Sequence, residues 1–121
     1  MPVFSDNSLK TLKECHEDLQ RVMKEVIKEF DISVICGHRG EEEQEEAYKS
    51  GNSKARFGES KHNYFPALAV DVVPYPLDWN DIERFEQMGE VVMRKADELG
   101  IKLKWGRDFK GLKDYPHFEL A

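Results

Sequence analysis

The sequence predicts an α+β domain in which two long helices pack on a small, largely antiparallel sheet. Three observations carry that expectation: two long stretches with apolar residues at helical spacing, four short β-branched or alternating runs between and after them, and turn residues at the junctions. Ser5 or Asn7 is an N-cap for the first stretch. From there Leu9, Leu12, Leu19, Val22, Met23, Val26, Ile27 and Phe30 recur at helical spacing with charges between them, so one long amphipathic helix is expected. Residues 32–36 form a short β-branched run ending at Gly37 and read as a strand. Residues 41–50 are charged and stop at Gly51, which suits a short surface helix, and residues 52–60, rich in small and charged types, read as a loop. Residues 67–73 alternate and close at Pro74 and Pro76, a second strand. Asp78 or Asn80 then caps the second long helix, which carries Ile82, Phe85, Met88, Val91, Val92, Ala96 and Leu99 and ends at Gly100. Residues 101–105 and 115–120 supply the last strands.

No internal repeat, low-complexity tract or linker is visible, so residues 1–121 are expected to form one domain, and a monomer is expected. Lys and Arg number 18 against 24 Asp and Glu, a net charge of -6. Polyanion binding needs clustered cations, so nucleic acid is not an expected partner. No apolar stretch is long enough to enter and cross a bilayer, and the first residues lack the basic start and apolar run of an export signal, so a cytoplasmic location on synthesis is expected. Cys15 and Cys36 show no CxxC spacing and read as buried small apolar residues.

The chemistry lies in two segments, Ser60-Lys-His62 running on to Ala67-Leu-Ala69-Val-Asp71, and Asp114-Tyr-Pro-His117-Phe-Glu119. A hydrolytic zinc site takes about three nitrogen or oxygen ligands at roughly 2.0–2.2 Å and leaves a position for water. Two histidines and one aspartate satisfy that requirement. Period-two alternation sets Ala67, Ala69 and Asp71 on one strand face and Leu68, Val70 and Val72 on the other, so small neighbours leave room beside Asp71.

The order Ser-x-His, Ala-x-Asp, Asp-x-x-His resembles the zinc D-alanyl-D-alanine carboxypeptidases and dipeptidases, and especially the phage endolysins that cleave L-alanyl-D-glutamate bonds. Upstream, Gly37-His-Arg39 through Gln44, then Ala47-Tyr48 and Gly51, is similar to the family's arginine-then-glutamine segment; Trp105-Gly-Arg107-Asp108 is similar to its Trp-Gly-Gly-Asp stretch. The resemblance covers most of the chain and implies a Hedgehog/DD-peptidase-like fold. It implies Zn²⁺ held by His62, Asp71 and His117, with Asp114 as general base. Arg39 would bind the scissile carbonyl oxygen or a substrate carboxylate, and Ser60 would hydrogen-bond near the site or to substrate. The implied reaction is attack by a zinc-polarised water on a peptide bond of peptidoglycan stem peptides. An L-alanyl-D-glutamate endopeptidase stands first, released to the wall through a membrane lesion; a D-alanyl-D-alanine carboxypeptidase and a non-catalytic zinc-containing wall-binding domain are the alternatives.

Two departures mark this chain. His62 and Asp71 are nine residues apart, two more than in the family motif, whose glycine is missing here, and an enlarged turn around Pro66 is expected to absorb the difference. Arg107 replaces the second glycine of the tryptophan motif. Strand geometry also offers a rival base, since Glu119 shares a face with His117, whereas Asp114 reaches the site only if it lies in a turn before the strand. His16 reads as structural within the first helix. His38 reads equally as a cleft or exposed loop residue. Gln44 and Tyr48 brace the short helix against the sheet, Trp105 is core, and Asp108 is either a turn residue or the acceptor behind a ligand histidine.

Overall fold

The computed structural model describes residues 2–111 and 113–121. Its elements are α1 (Asp6–Leu12), α2 (Glu17–Val26), β1 (Ile32–Cys36), α3 (Glu41–Lys49), a 3-10 turn (Lys61–Asn63), β2 (Ala69–Pro74), α4 (Ile82–Glu98), β3 (Leu103–Trp105), a second 3-10 turn (Gly106–Asp108) and β4 (His117–Leu120). The four strands form one sheet in the order β1-β2-β4-β3, every neighbouring pair antiparallel. Helices on a small antiparallel sheet are the expected class.

The first helix departs from expectation. A single helix through residue 30 is replaced by α1 and α2, because the backbone between them pairs with a distant segment: His16 N–H donates to the Ala67 carbonyl at 2.8 Å and Ala67 N–H to that of Glu14 at 2.9 Å. His16 is structural, as expected, but as the cap of α2; its Nδ1 accepts from Asp18 N–H at 3.0 Å. Ser5 is the cap of α1, its hydroxyl accepting from Ser8 N–H at 3.1 Å. For α4 the cap is Asp81, not Asp78 or Asn80; Asp78 instead accepts from Asn80 N–H in the preceding turn. Gly100, at φ +72°, ends that helix in the left-handed conformation that favours glycine.

Alternation along the sheet separates core from cleft. Val70, Val72 and Phe118 join Leu19, Val22, Val26, Phe85, Met88 and Val92 in the apolar core. Each such side chain contributes about 1.5–3 kcal/mol when fully removed from water. On the opposite face Cys36, Asp71 and His117 lie in register across β1, β2 and β4. Trp105 is core, as expected: its ring stacks on Phe118 with centroids 5.7 Å apart and lies so close to Gly89 of α4 that an added Cβ there would sit 1.9 Å from the ring. No helix among the described residues is long and apolar enough to cross a membrane.

Candidate active site

Three side chains that are far apart in sequence converge on the cleft face. Nε2 of His62, Nδ1 of His117 and Oδ1 of Asp71 form a triangle with every edge 3.2 Å. Asp71 and His117 are paired residues of β2 and β4. His62 comes from the 3-10 turn, where Ser60 is the cap; the Ser60 hydroxyl accepts from His62 N–H at 3.2 Å. Ser60 also lines the cleft.

The remaining ring nitrogens fix which atoms face the triangle. Nδ1 of His62 lies 2.7 Å from the carbonyl oxygen of Gly37, which can only accept, so Nδ1 donates. Nε2 of His117 lies 2.8 Å from Oε1 of Glu119, and that hydrogen bond holds Glu119 below the usual carboxylate range, so Nε2 donates too. In the neutral imidazoles the lone pairs of Nε2 (His62) and Nδ1 (His117) therefore point at each other and at a carboxylate oxygen. Such an arrangement needs positive charge in its midst, either protons or a metal ion. Three ligands on a tetrahedron with bonds of about 2.0–2.1 Å stand roughly 3.3–3.4 Å apart, so the triangle fits zinc closely. The outward N–H groups, each seated on an acceptor, supply the orientation that ligand histidines require.

With protons in place of metal, burial works against charge on both rings. Burial is the largest single influence, yet the hydrogen bond and charge of Asp71, together with Cys36 for His62 and with Glu119 for His117, outweigh it and hold the two rings up at about 10 and about 9. Burial would conversely raise Asp71, but its bonds to His117 and His62 keep it well below the usual range.

Asp114 lies in the turn before β4, not on the strand. Its N–H donates to the Gly106 carbonyl at 3.0 Å, and its own carbonyl accepts from His117 N–H at 3.2 Å. A Cβ on Gly106 would fall 2.1 Å from that carbonyl oxygen, so only glycine lets the two segments meet. One carboxylate oxygen of Asp114 lies within 4.8 Å of ligand atoms of Asp71 and His117. Burial, and then the negative charge of Asp71, raise its pKa. Glu119 does share the face of His117, as alternation requires, but it is engaged with His117 Nε2 and with Lys61 at 3.5 Å.

Arg39 is drawn inward and does not pair with Glu41 or Glu42. Its guanidinium sits 3.7 Å from Oδ2 of Asp71, the oxygen outside the triangle, and donates to Oε1 of Gln44 at 3.0 Å. Gln44 is fully buried, and bracing against the sheet is not its role. It accepts from Asn63 as well and donates to Ser53 and to the Ala55 carbonyl, which ties α3 and the 52–60 loop to Arg39. Tyr48 is half-exposed under the Arg56 guanidinium. His38 stands edge-on to the exposed ring of Phe65 rather than among the cleft-lining residues.

A model of the family described as phage L-alanyl-D-glutamate peptidase matches residues 2–120. The chain belongs to that family. The L-alanyl-D-glutamate peptidase of Escherichia phage T5 is 30% identical over 122 residues, spanning 97% of this chain and 88% of that one. The peptidoglycan L-alanyl-D-glutamate endopeptidase CwlK of Bacillus subtilis is 37% identical over 108 residues, 77% of this chain and 62% of that one. The crystal structure of the Serratia marcescens L-Ala D-Glu endopeptidase ChiX matches with a TM-score of 0.83 at 33% identity, covering 98% of this chain and 90% of that one.

In this member of the L-alanyl-D-glutamate peptidase family, the segment between His62 and Asp71 passes through a surface turn. Tyr64 and Phe65 are exposed there, and the chain regains the fold where Ala67 pairs with Glu14 and His16. Arg107 turns away to Glu86 of α4 at 2.7 Å and lies 4.0 Å over the Trp105 ring. Asp108 is a turn residue paired with Arg107 at 3.2 Å, so it is not the acceptor behind a ligand histidine. The acceptors behind the two rings are Glu119 for His117 and the Gly37 carbonyl for His62; the sequence marked Glu119 only as a rival base and Gly37 in no such role. The His-x-Glu spacing was the available signal for the first; a backbone carbonyl leaves none.

Proposed function

We propose that residues 1–121 form a single zinc peptidase domain that hydrolyses the L-alanyl-D-glutamate bond of peptidoglycan stem peptides, with His62, Asp71 and His117 as metal ligands. One observation carries this reading: two imidazole lone pairs and one carboxylate oxygen, oriented from behind by Gly37 and Glu119, converge in a 3.2 Å triangle on the floor of a cleft of about 950 Å³. Membership of a family whose relatives carry that activity in their names supports the bond assigned. Bound there, zinc supplies Lewis acidity toward water and the scissile carbonyl.

The chain's own groups supply the rest. Asp114, half-buried with a raised pKa, takes the proton of the attacking water and delivers it to the departing amine. Arg39 is held by Gln44 beside the triangle and donates to the carbonyl oxygen as negative charge develops on it. Ser60 keeps the His62 turn in place. A cytoplasmic enzyme that reaches the wall through a membrane lesion is consistent with this role.

Zinc-loaded protein incubated with intact purified sacculi should release peptides whose new amino terminus is glutamate, read by mass analysis, and a chelator should stop the release. Sacculi that bind the protein and zinc but yield no new amino termini would leave the non-catalytic wall-binding reading in its place.

A further inference from the structure

Against a net charge of -6, the exposed charged residues that line the cleft are three lysines and one carboxylate, Glu59, which accepts from Arg56 N–H. Lys54 reaches the cleft from the 52–60 loop, and Lys110 and Lys113 from the segment before Asp114; all three are exposed. The two loops meet, since a Cβ on Gly111 would lie 3.3 Å from Nζ of Lys54. The lysines that form ion pairs among the described residues are Lys28, Lys61 and Lys95. Among the described residues, no carboxylate lies within ion-pair distance of Lys54, Lys110 or Lys113.

The other cations of the cleft are committed. Arg39 is held by Gln44 and Asp71, and Lys61 by Glu119 and the Leu120 carbonyl. Three ammonium groups without a carboxylate partner thus border the cleft that holds Asp114. Cations without a carboxylate partner favour an anionic ligand and leave a neutral isostere without that attraction. If the bond cut is L-alanyl-D-glutamate, the residue whose amine departs brings a carboxylate that takes no part in the scissile bond.

We propose that Lys54, Lys110 and Lys113 receive this carboxylate and make the enzyme select a glutamate with a free acid over the same residue amidated. The proposal rests on the endopeptidase reading above.

The test uses two matched peptides, one with the free carboxylate and one with its primary amide, and the zinc-loaded full chain. Wild type should show kcat/KM about tenfold higher for the acid, a preference that shrinks as salt is raised. The triple variant K54E/K110E/K113E should bring the ratio to one or below, and single Lys→Gln variants should lower it in part, with metal content and thermal melting checked alongside. A wild-type ratio near one, or a triple variant that keeps the preference, overturns the proposal and leaves the endopeptidase reading standing. If zinc-loaded wild type cleaves neither peptide, that reading fails and the proposal with it.

Discussion

Replacing Asp114 with asparagine should lower kcat by about 10²–10⁴-fold, the usual contribution of a positioned general base, while zinc remains bound at one ion per chain. Asparagine preserves the size of the side chain, and the contacts that place this residue are made by its backbone with Gly106 and His117. The substitution therefore removes the proton acceptor without moving the turn. Zinc content by elemental analysis and turnover of a stem peptide, measured on the same sample, separate a lost base from a lost metal. Turnover within a few-fold of wild type would reassign the base, with Glu119 next in line.

Removal of the Asp71 carboxylate should have the largest effect on the metal. Asp71→Ala leaves two imidazoles facing each other with no anion between them. At zinc concentrations a thousandfold above the wild-type Kd, linkage stabilises the folded chain by about 4 kcal/mol, roughly a 10–25 °C rise in Tm for a domain of this size. That rise should vanish in Asp71→Ala. The metal-free wild type adds a pH signature. His62 and His117 titrate at about 10 and about 9 when folded, above their ordinary value near 6.5, so their proton-linked stability is fully present below about 6.5 and is lost as pH rises through 9 to 10. Asp71, depressed, contributes above its ordinary value and loses its contribution as pH falls below it. Metal-free wild type should therefore melt at a nearly constant temperature around pH 5 to pH 6 and lose stability progressively from about pH 6.5 up to about pH 10, and Asp71→Ala should lack most of that loss. Because each zinc ion displaces protons from both rings, zinc affinity should rise by up to about a hundredfold per pH unit near neutrality. Thermal melts across pH, with and without zinc, read all of these outcomes.

How much of this was legible in the sequence depended on whether the signal was local. Alternation placed Val70, Val72 and Phe118 in the core and Asp71, His117 and Glu119 opposite, because a strand's period is visible within a few residues. It failed for the two alanines: Ala67 precedes the strand and is buried in the core, and Ala69 is buried away from the cleft, so neither leaves room beside Asp71. The break at Cys15 and His16 was not visible. Leu12 and Leu19 bury into one core on either side of it, so the apolar period runs on while the backbone leaves the helix to pair with Ala67. Gln44 lies in a run of glutamates with no apolar period to mark it, although it is fully buried and anchors Arg39. Gly106 is a glycine because the Asp114 backbone passes over it, and Gly89 because the Trp105 ring does; each reason belongs to a segment distant in sequence. The residues of the His62, Asp71 and His117 triangle were legible as types in a family order. Its orientation from behind, by a backbone carbonyl and by Glu119, required the fold.

The proposed chemistry depends most on a single divalent ion among His62, Asp71 and His117, and zinc K-edge X-ray absorption of the purified, zinc-loaded chain tests for it directly. The expected spectrum has one zinc per chain with only nitrogen and oxygen neighbours at about 2.0–2.2 Å and outer-shell scattering from two imidazoles. A sulfur neighbour near about 2.3 Å, which would bring in Cys36, or the absence of imidazole scattering would contradict it.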